Sequence, residues 1–303
     1  MKLKTITTIA LIFLLAACTN RDYEKGEELY SKEDYIHALP LLTNSATEGH
    51  KDAQFRLGTM FYYGNGVTID YKQALEWLTK AADQGNDRAQ VIVGNIYYLG
   101  EGVEVDYKKA VSWFEKSAAQ NNGGAQIMLG VMYHDGTGIP QNYTQAIAYF
   151  QKATENKEID SQYSLGTMYM NGEGLPQDYL KAISLFEAAA NQGSELGQHS
   201  LGNIYFSGKG AKTDYKKAFY WYEKAANQGY SSSQMNLGLL YRDGLGVEKN
   251  IIEAHKWLNI ASANGESEAD IARSQIEQGM SQNQVSESQQ LASTWLAAHN
   301  GKK

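Results

Sequence analysis

Apolar positions along this chain fall on a helical period, and the pattern then recurs at a longer one. Ala53, Leu57, Met60 and Phe61 stand at i, i+4, i+7 and i+8, which places them on one stripe of a helix. Gly64 and Gly66 end that helix, because glycine enters left-handed turn conformations without steric cost. A second stripe follows, Ala74, Trp77, Leu78, Ala81 and Ala82, and Gly85 closes it. Between the two, Asp70 offers a short acceptor side chain, the signal of a helix N-cap. The same position returns as Asp106, Asn142, Asp178, Asp214 and Asn250, with Asp34 before them. Each segment therefore predicts a pair of helices, A then B.

The longer period is 36 residues. Gly58 returns at Gly94, Gly130, Gly166, Gly202 and Gly238 without insertion, and a fixed period of that size announces stacked repeats. Six full units are expected over 51–266, running 51–86, 87–122, 123–158, 159–194, 195–230 and 231–266. A shortened unit over 23–50 precedes them, in which Tyr30 answers to Tyr62. Asn121-Asn122-Gly123 opens an irregular unit, and Lys157 stands where its closing glycine belongs, so a local change in superhelix angle is expected there. The tail, 267–303, reads as capping helices. Glu268 to Gln278 forms one, and Ser281 with Gln284 makes a capping-box pattern ahead of Val285, Leu291, Trp295 and Leu296. A repeat stack needs such a piece to cover its last apolar face.

The run A-x-x-x-L-G-x-x-x-Y/F-x-x-G-x-G, then D-Y-x-x-A-x-x-W, resembles the Sel-1-like repeat, a cousin of the tetratricopeptide repeat with a longer loop. The resemblance spans about 20–300. It implies an all-α fold, a right-handed α/α superhelical solenoid of helix-turn-helix repeats, and a protein-binding role. In tetratricopeptide relatives the side of helix A opposite the buried stripe lines the concave surface. At 100° per residue those positions are 55, 59 and 62. The resemblance thus points to Phe55, Thr59 and Tyr62; Val91, Asn95 and Tyr98; Ile127, Val131 and His134; Tyr163, Thr167 and Met170; His199, Asn203 and Phe206; and Met235, Leu239 and Arg242. Aromatic and aliphatic side chains dominate this set, as at interaction sites, although packing between neighbouring units competes for the same residues.

The rest of the sequence narrows the function. Its net charge of −7 becomes −9 when Lys2 and Lys4 are set aside, 25 basic against 34 acidic residues, so nucleic acid is not an expected partner. Lys2 and Lys4, the apolar run Ile9 to Ala17 and the small residues before Cys18 read as a signal peptide over 1–17. The run is too brief for a bilayer, which takes about 20 apolar residues. Cys18, the only cysteine, resembles the lipobox of bacterial lipoproteins, which implies lipid attachment at Cys18, a short linker over 18–22 and, with Thr19 following, an outer-membrane address. No disulfide can form within the chain.

Chemistry for a reaction is not apparent. His37, His50, His134, His199, His255 and His299 share no metal-ligand spacing, so no metal and no cofactor are expected. Gly64-x-Gly66 lacks the strand and the lysine-serine of a phosphate loop. The Trp77, Trp113, Trp221 and Trp257 series, with Tyr149 and Leu185 in the same slot, reads as core. Tyr71, Tyr107, Tyr143, Tyr179 and Tyr215 read as architecture, and Gln54, Gln90, Gln126, Gln162, Gln198 and Gln234 as hydrogen bonds between turns. The expectation is a membrane-anchored, non-enzymatic adaptor of the cell envelope that holds a protein or extended peptide, as an assembly scaffold or an immunity protein. The alternative is a β-lactam-binding or hydrolase-type enzyme like cysteine-rich relatives. Those relatives carry a disulfide in each repeat, and this chain has neither that nor a Ser-x-x-Lys motif.

Overall fold

The computed structural model describes residues 20–299. The expected signal peptide, Cys18 and the last four residues lie outside them. The chain forms two compact units, divided between Lys157 and Glu158, and among the described residues every regular element is a helix.

The first unit holds α1 (20–31), α2 (Tyr35–Thr47), α3 (Lys51–Tyr63), α4 (Tyr71–Asp83), α5 (Asp87–Leu99), α6 (Tyr107–Ala118), α7 (Gly123–Asp135) and α8 (Tyr143–Glu155). The second holds α9 (Ile159–Asn171), α10 (Tyr179–Asn191), α11 (Glu195–Ser207), α12 (Tyr215–Asn227), α13 (Ser231–Asp243), α14 (Ile251–Ala263), α15 (Ser267–Glu277) and α16 (Gln282–His299). The all-α repeat solenoid expected from the sequence is the fold observed. Residues 20–22, read as linker, already belong to α1.

The helix boundaries have the causes the sequence suggests. Every helix A of the six repeats stops at a left-handed glycine, Gly64 through Gly244. Every helix B starts at an Asp or Asn whose side chain accepts a backbone N–H of the first turn, Asp34 and Asp70 through Asn250. That cap residue also donates its own N–H back to helix A, as Asp70 does to the Phe61 carbonyl at 3.0 Å and Asp214 to that of Tyr205 at 2.8 Å. One residue thus satisfies orphan groups at both ends of the loop.

The fixed glycine of helix A is a matter of close approach. A Cβ at Gly94 would lie 2.6 Å from the Phe114 ring, and one at Gly130 would lie 2.5 Å from that of Phe150. Leu78, Phe114, Phe150, Phe186, Tyr222 and Leu258 form this buried series on helix B. The tryptophan slot one residue earlier borders the core: Trp77, Trp113 and Trp221 pack against its clusters. Trp77, Trp113 and Trp221 are half-buried, and lysines one turn on cover their faces, Lys80 at 4.0 Å and Lys116 at 3.7 Å from the ring centres. Only Trp257 of that series is buried, beneath Trp295 of α16.

Repeats are joined by their glutamines. Gln54 and Gln90 each donate to a carbonyl of the preceding helix B, Ala46 and Ala82, and accept from Gln84 and Gln120 that follow their own. Gln198 and Gln234 do the same with Ala190 and Ala226, Gln228 and Asn264. These bonds satisfy carbonyls that the end of a buried helix would leave orphaned. Two closing turns depart from glycine: Asn121 and Lys157 hold φ of 66° and 65°. The second lies at the division between the units.

Candidate functional site

Of the eighteen side chains expected on the helix A wall, the structure buries one, Thr59, at 4% exposure. Asn203 and Phe206 are exposed, and the other fifteen are half-buried. The burial comes from the next repeat. Phe55 and Tyr62 pack on the core between α4 and α5, Val91 and Tyr98 on that of α6 and α7, Tyr163 and Met170 on that of α10 and α11. Met235 and Leu239 rest against the core shared by α14 and α15. These eight wall residues therefore join repeats and leave part of their surface to solvent.

At the loop end the wall is aromatic and regular. Tyr62 meets Tyr71 edge-on at 5.5 Å, Tyr98 meets Tyr107 at 5.3 Å, His134 tilts against Tyr143 at 5.3 Å and Phe206 meets Tyr215 edge-on at 5.6 Å. Sequence reasoning assigned the first tyrosine of helix B to architecture alone. It is that, since Gly102 packs against Tyr71 and Gly138 against Tyr107, but Tyr107 and Tyr215 are also 40% and 38% exposed. The Tyr62 hydroxyl donates to Glu101 at 2.6 Å, one repeat on, and burial with that carboxylate pushes its pKa up.

At the opposite end of the helices the first unit opens a cavity of about 480 Å³, lined by Tyr23, Glu27, Lys51, Asp52, Phe55, Arg56, Gly85, Asn86, Asp87, Arg88 and Gln120. Phe55 is the one expected wall residue in it. Asp52 lies beside the expected face by helical angle; the other lining residues went unnoticed because most are polar and they come from α1, from α3, from the start of α5 with the turn before it, and from the turn after α6. Glu27 of α1 holds Arg56 of α3 through two hydrogen bonds, one of 2.7 Å, and the guanidinium lies 4.3 Å from the centre of the Tyr30 ring. Asn86 caps α5 and donates to Asp52 at 3.2 Å.

The second unit fills the corresponding place differently. Tyr230 stands at the N-cap of α13 and makes no cap bond; its ring instead lies 4.9 Å from His199. His199 also meets Ser233 at 2.7 Å through Nδ1. Burial pushes the imidazole pKa down to about 4, with Glu266 pulling weakly upward.

One histidine contact has the outline of a hydrolytic triad. His255 lies 2.6 Å from Ser288 through Nδ1 and 2.6 Å from Glu277 through Nε2. His255 and Ser288 have no exposed surface, so no substrate reaches the hydroxyl. The cluster ties α15 and α16 to α14. Ser281 and Gln284 form the expected capping box at the start of α16, with Ser281 N donating to Gln284 Oε1 at 2.9 Å. Ala292 and Ser288 face inward there, and Leu291 is 38% exposed. Among the described residues no group of His, Cys, Asp and Glu is placed to hold a metal ion, and no helix is long and apolar enough to cross a membrane.

Comparisons with known proteins agree with this frame. The Sel1 repeat model matches residues 51–86, 87–122, 124–157, 159–194, 196–230 and 231–266. The crystal structure of a Sel1 repeat protein from Oxalobacter formigenes is 33% identical, covers 80% of this chain and 99% of its own, and superposes with a TM-score of 0.75. A protective antigen with an SLR fold from uropathogenic Escherichia coli is 25% identical over 94% of this chain and 85% of its own, with a TM-score of 0.40. A Sel1 repeat protein from Klebsiella pneumoniae subsp. pneumoniae is 25% identical over 67% and 99%, with a TM-score of 0.46. Comparison with curated proteins gives no significant match. Six matches in succession, each containing a glycine stop and a cap residue described above, place the chain in the Sel1 repeat family.

Proposed function

We propose that this protein is a non-catalytic, envelope-anchored adaptor that holds a protein or extended peptide against the helix A wall. Sel1 repeat proteins mediate protein–protein interaction, and their scaffolds are typically non-enzymatic. The observation that carries the reading is the half-exposed wall. Apolar side chains recur at fixed positions of successive repeats, each anchored by packing on the next repeat and each presenting part of its surface. Apolar groups so anchored lose little conformational freedom when a partner covers them. The wall residues and the anchor at Cys18 are both part of this proposal, and assembly scaffold and immunity protein are two jobs that such an adaptor performs.

Capture from native envelope extract tests it. Tyr62→Ser with Tyr98→Ser and Phe206→Ser is expected to lose the bound protein while keeping helical circular dichroism. Phe206→Ser alone, at an exposed site, provides a variant whose fold is not in question. Undiminished capture by both variants rejects the wall. Separately, Cys18→Ala is expected to release the protein from membranes, and retention there rejects the anchor.

A further inference from the structure

Among the described residues of the first unit, six large apolar side chains are exposed, and all six lie at the loop end of α2 to α6. They are Ile36, Tyr63, Ile69, Leu99, Val105 and Tyr107, with exposures from 40% to 76%. Two pairs occupy the same repeat positions, Tyr63 with Ile69 and Leu99 with Val105. Ile36 follows Tyr35, on which the loop glycine Gly66 of the next repeat packs.

The repeat frame does not demand apolar residues there. Position 63 becomes Asp135, Asn171, Ser207 and Asp243 in later repeats, and position 69 becomes Gln141, Gln177, Thr213 and Lys249. Gln141 and Lys249 still cover their cap glycines as Ile69 covers Gly64. The apolar stripe on the first two repeats is therefore additional to folding, and exposed apolar side chains repeated at one end of successive repeats mark an interaction site.

Charge indicates the occupant. The loop ends carry six carboxylates, Glu33, Asp34, Asp70, Glu101, Glu104 and Asp106, against four lysines, Lys32, Lys72, Lys108 and Lys109, a net of −2. Such a rim repels an anionic bilayer and attracts cations. We propose that the stripe running from Ile36 past Tyr63 to Leu99 docks a short basic amphipathic segment of a partner protein, apolar side chains interspersed with lysine or arginine. This surface lies at the loop end and stands independently of the wall reading.

The test uses the full chain and a fluorescent twelve-residue peptide alternating leucine with lysine, read by anisotropy at low and moderate salt. The variant Ile36→Ser with Tyr63→Ser and Leu99→Ser removes only exposed side chains and leaves the cap-covering Ile69 and Val105 in place. It is expected to weaken binding about tenfold or more with melting unchanged. Glu101→Gln with Glu104→Gln, which keeps the acceptor for Tyr62, is expected to weaken binding about threefold at low salt and to flatten the salt dependence. A leucine–glutamate peptide is expected not to bind. The proposal is overturned by native affinity in the apolar variant, or by equal binding of the acidic peptide. It is overturned too by a native dimer, or binding to phosphatidylglycerol vesicles, that the apolar variant abolishes.

Discussion

Position 55 of the first repeat and its counterpart in the fifth sit on the same frame and do different things. Phe55 borders an open cavity, with Asn86 capping the next helix A and the charged groups of Lys51, Asp87 and Arg88 around it. His199 is covered by Tyr230, which gives up the cap bond to place its ring there. Beneath both, the same hydrogen bond passes from Gln84 to Gln54 and from Gln228 to Gln198. The glutamines, the helix A glycine and the cap residue fix the stack, so the residue before each helix A is free to open or fill the recess beside it. Recognition in such a chain varies without disturbing its fold.

If the frame is common to both units, its removal must cost the same in each. Phe114→Ala and Phe186→Ala each leave a hole opposite a glycine and are expected to destabilise by about 3–5 kcal/mol. Urea unfolding checks this, and a cost near zero in either unit would break the comparison.

The filled recess should respond to acid. The unfolded chain takes up a proton at His199 near the ordinary 6.5 and the folded chain only near 4. Between these values the unfolded state binds more protons, so stability rises with pH from 4 to 6.5, by up to about 3 kcal/mol. Denaturant titrations of the native chain and His199→Gln should show the slope in the first and a loss of it in the second. Tyr230→Ala sharpens the point, since it uncovers the imidazole and moves its titration, followed by NMR, from about 4 back toward 6.5.

The smallest effect concerns the division between the units. Lys157 holds a left-handed φ of 65° where other repeats place glycine. Lys157→Gly is expected to stabilise by about 1 kcal/mol, read as a rise in melting temperature.

The frame was legible in the sequence because its causes are local. A cap needs one acceptor side chain and a stop needs one glycine, and both recur at a period of 36. What sequence missed depends on direction. Trp77 reads as core by residue type, yet it only borders the core, packed on Ala46, Ala53 and Leu57 with Lys80 over its ring, while Leu78 takes the buried place against Gly58. The wall was named by position, but its half-burial by the next repeat needed coordinates. So did the meeting of His255 with Ser288 and Glu277, residues 33 and 22 positions away. The exposed pairs Tyr63–Ile69 and Leu99–Val105 were visible as repeat positions and passed over because only positions 55, 59 and 62 carried a resemblance.

Site-specific photocrosslinking in native envelopes tests the central claim most directly. A benzophenone side chain placed at Phe55 or Phe206, on the wall, is expected to trap a partner protein, and one placed at Trp77, on helix B and outside the wall, is expected to trap none. Crosslinks from Trp77 alone, or none from the wall while the chain is folded and at its native level, would contradict the account.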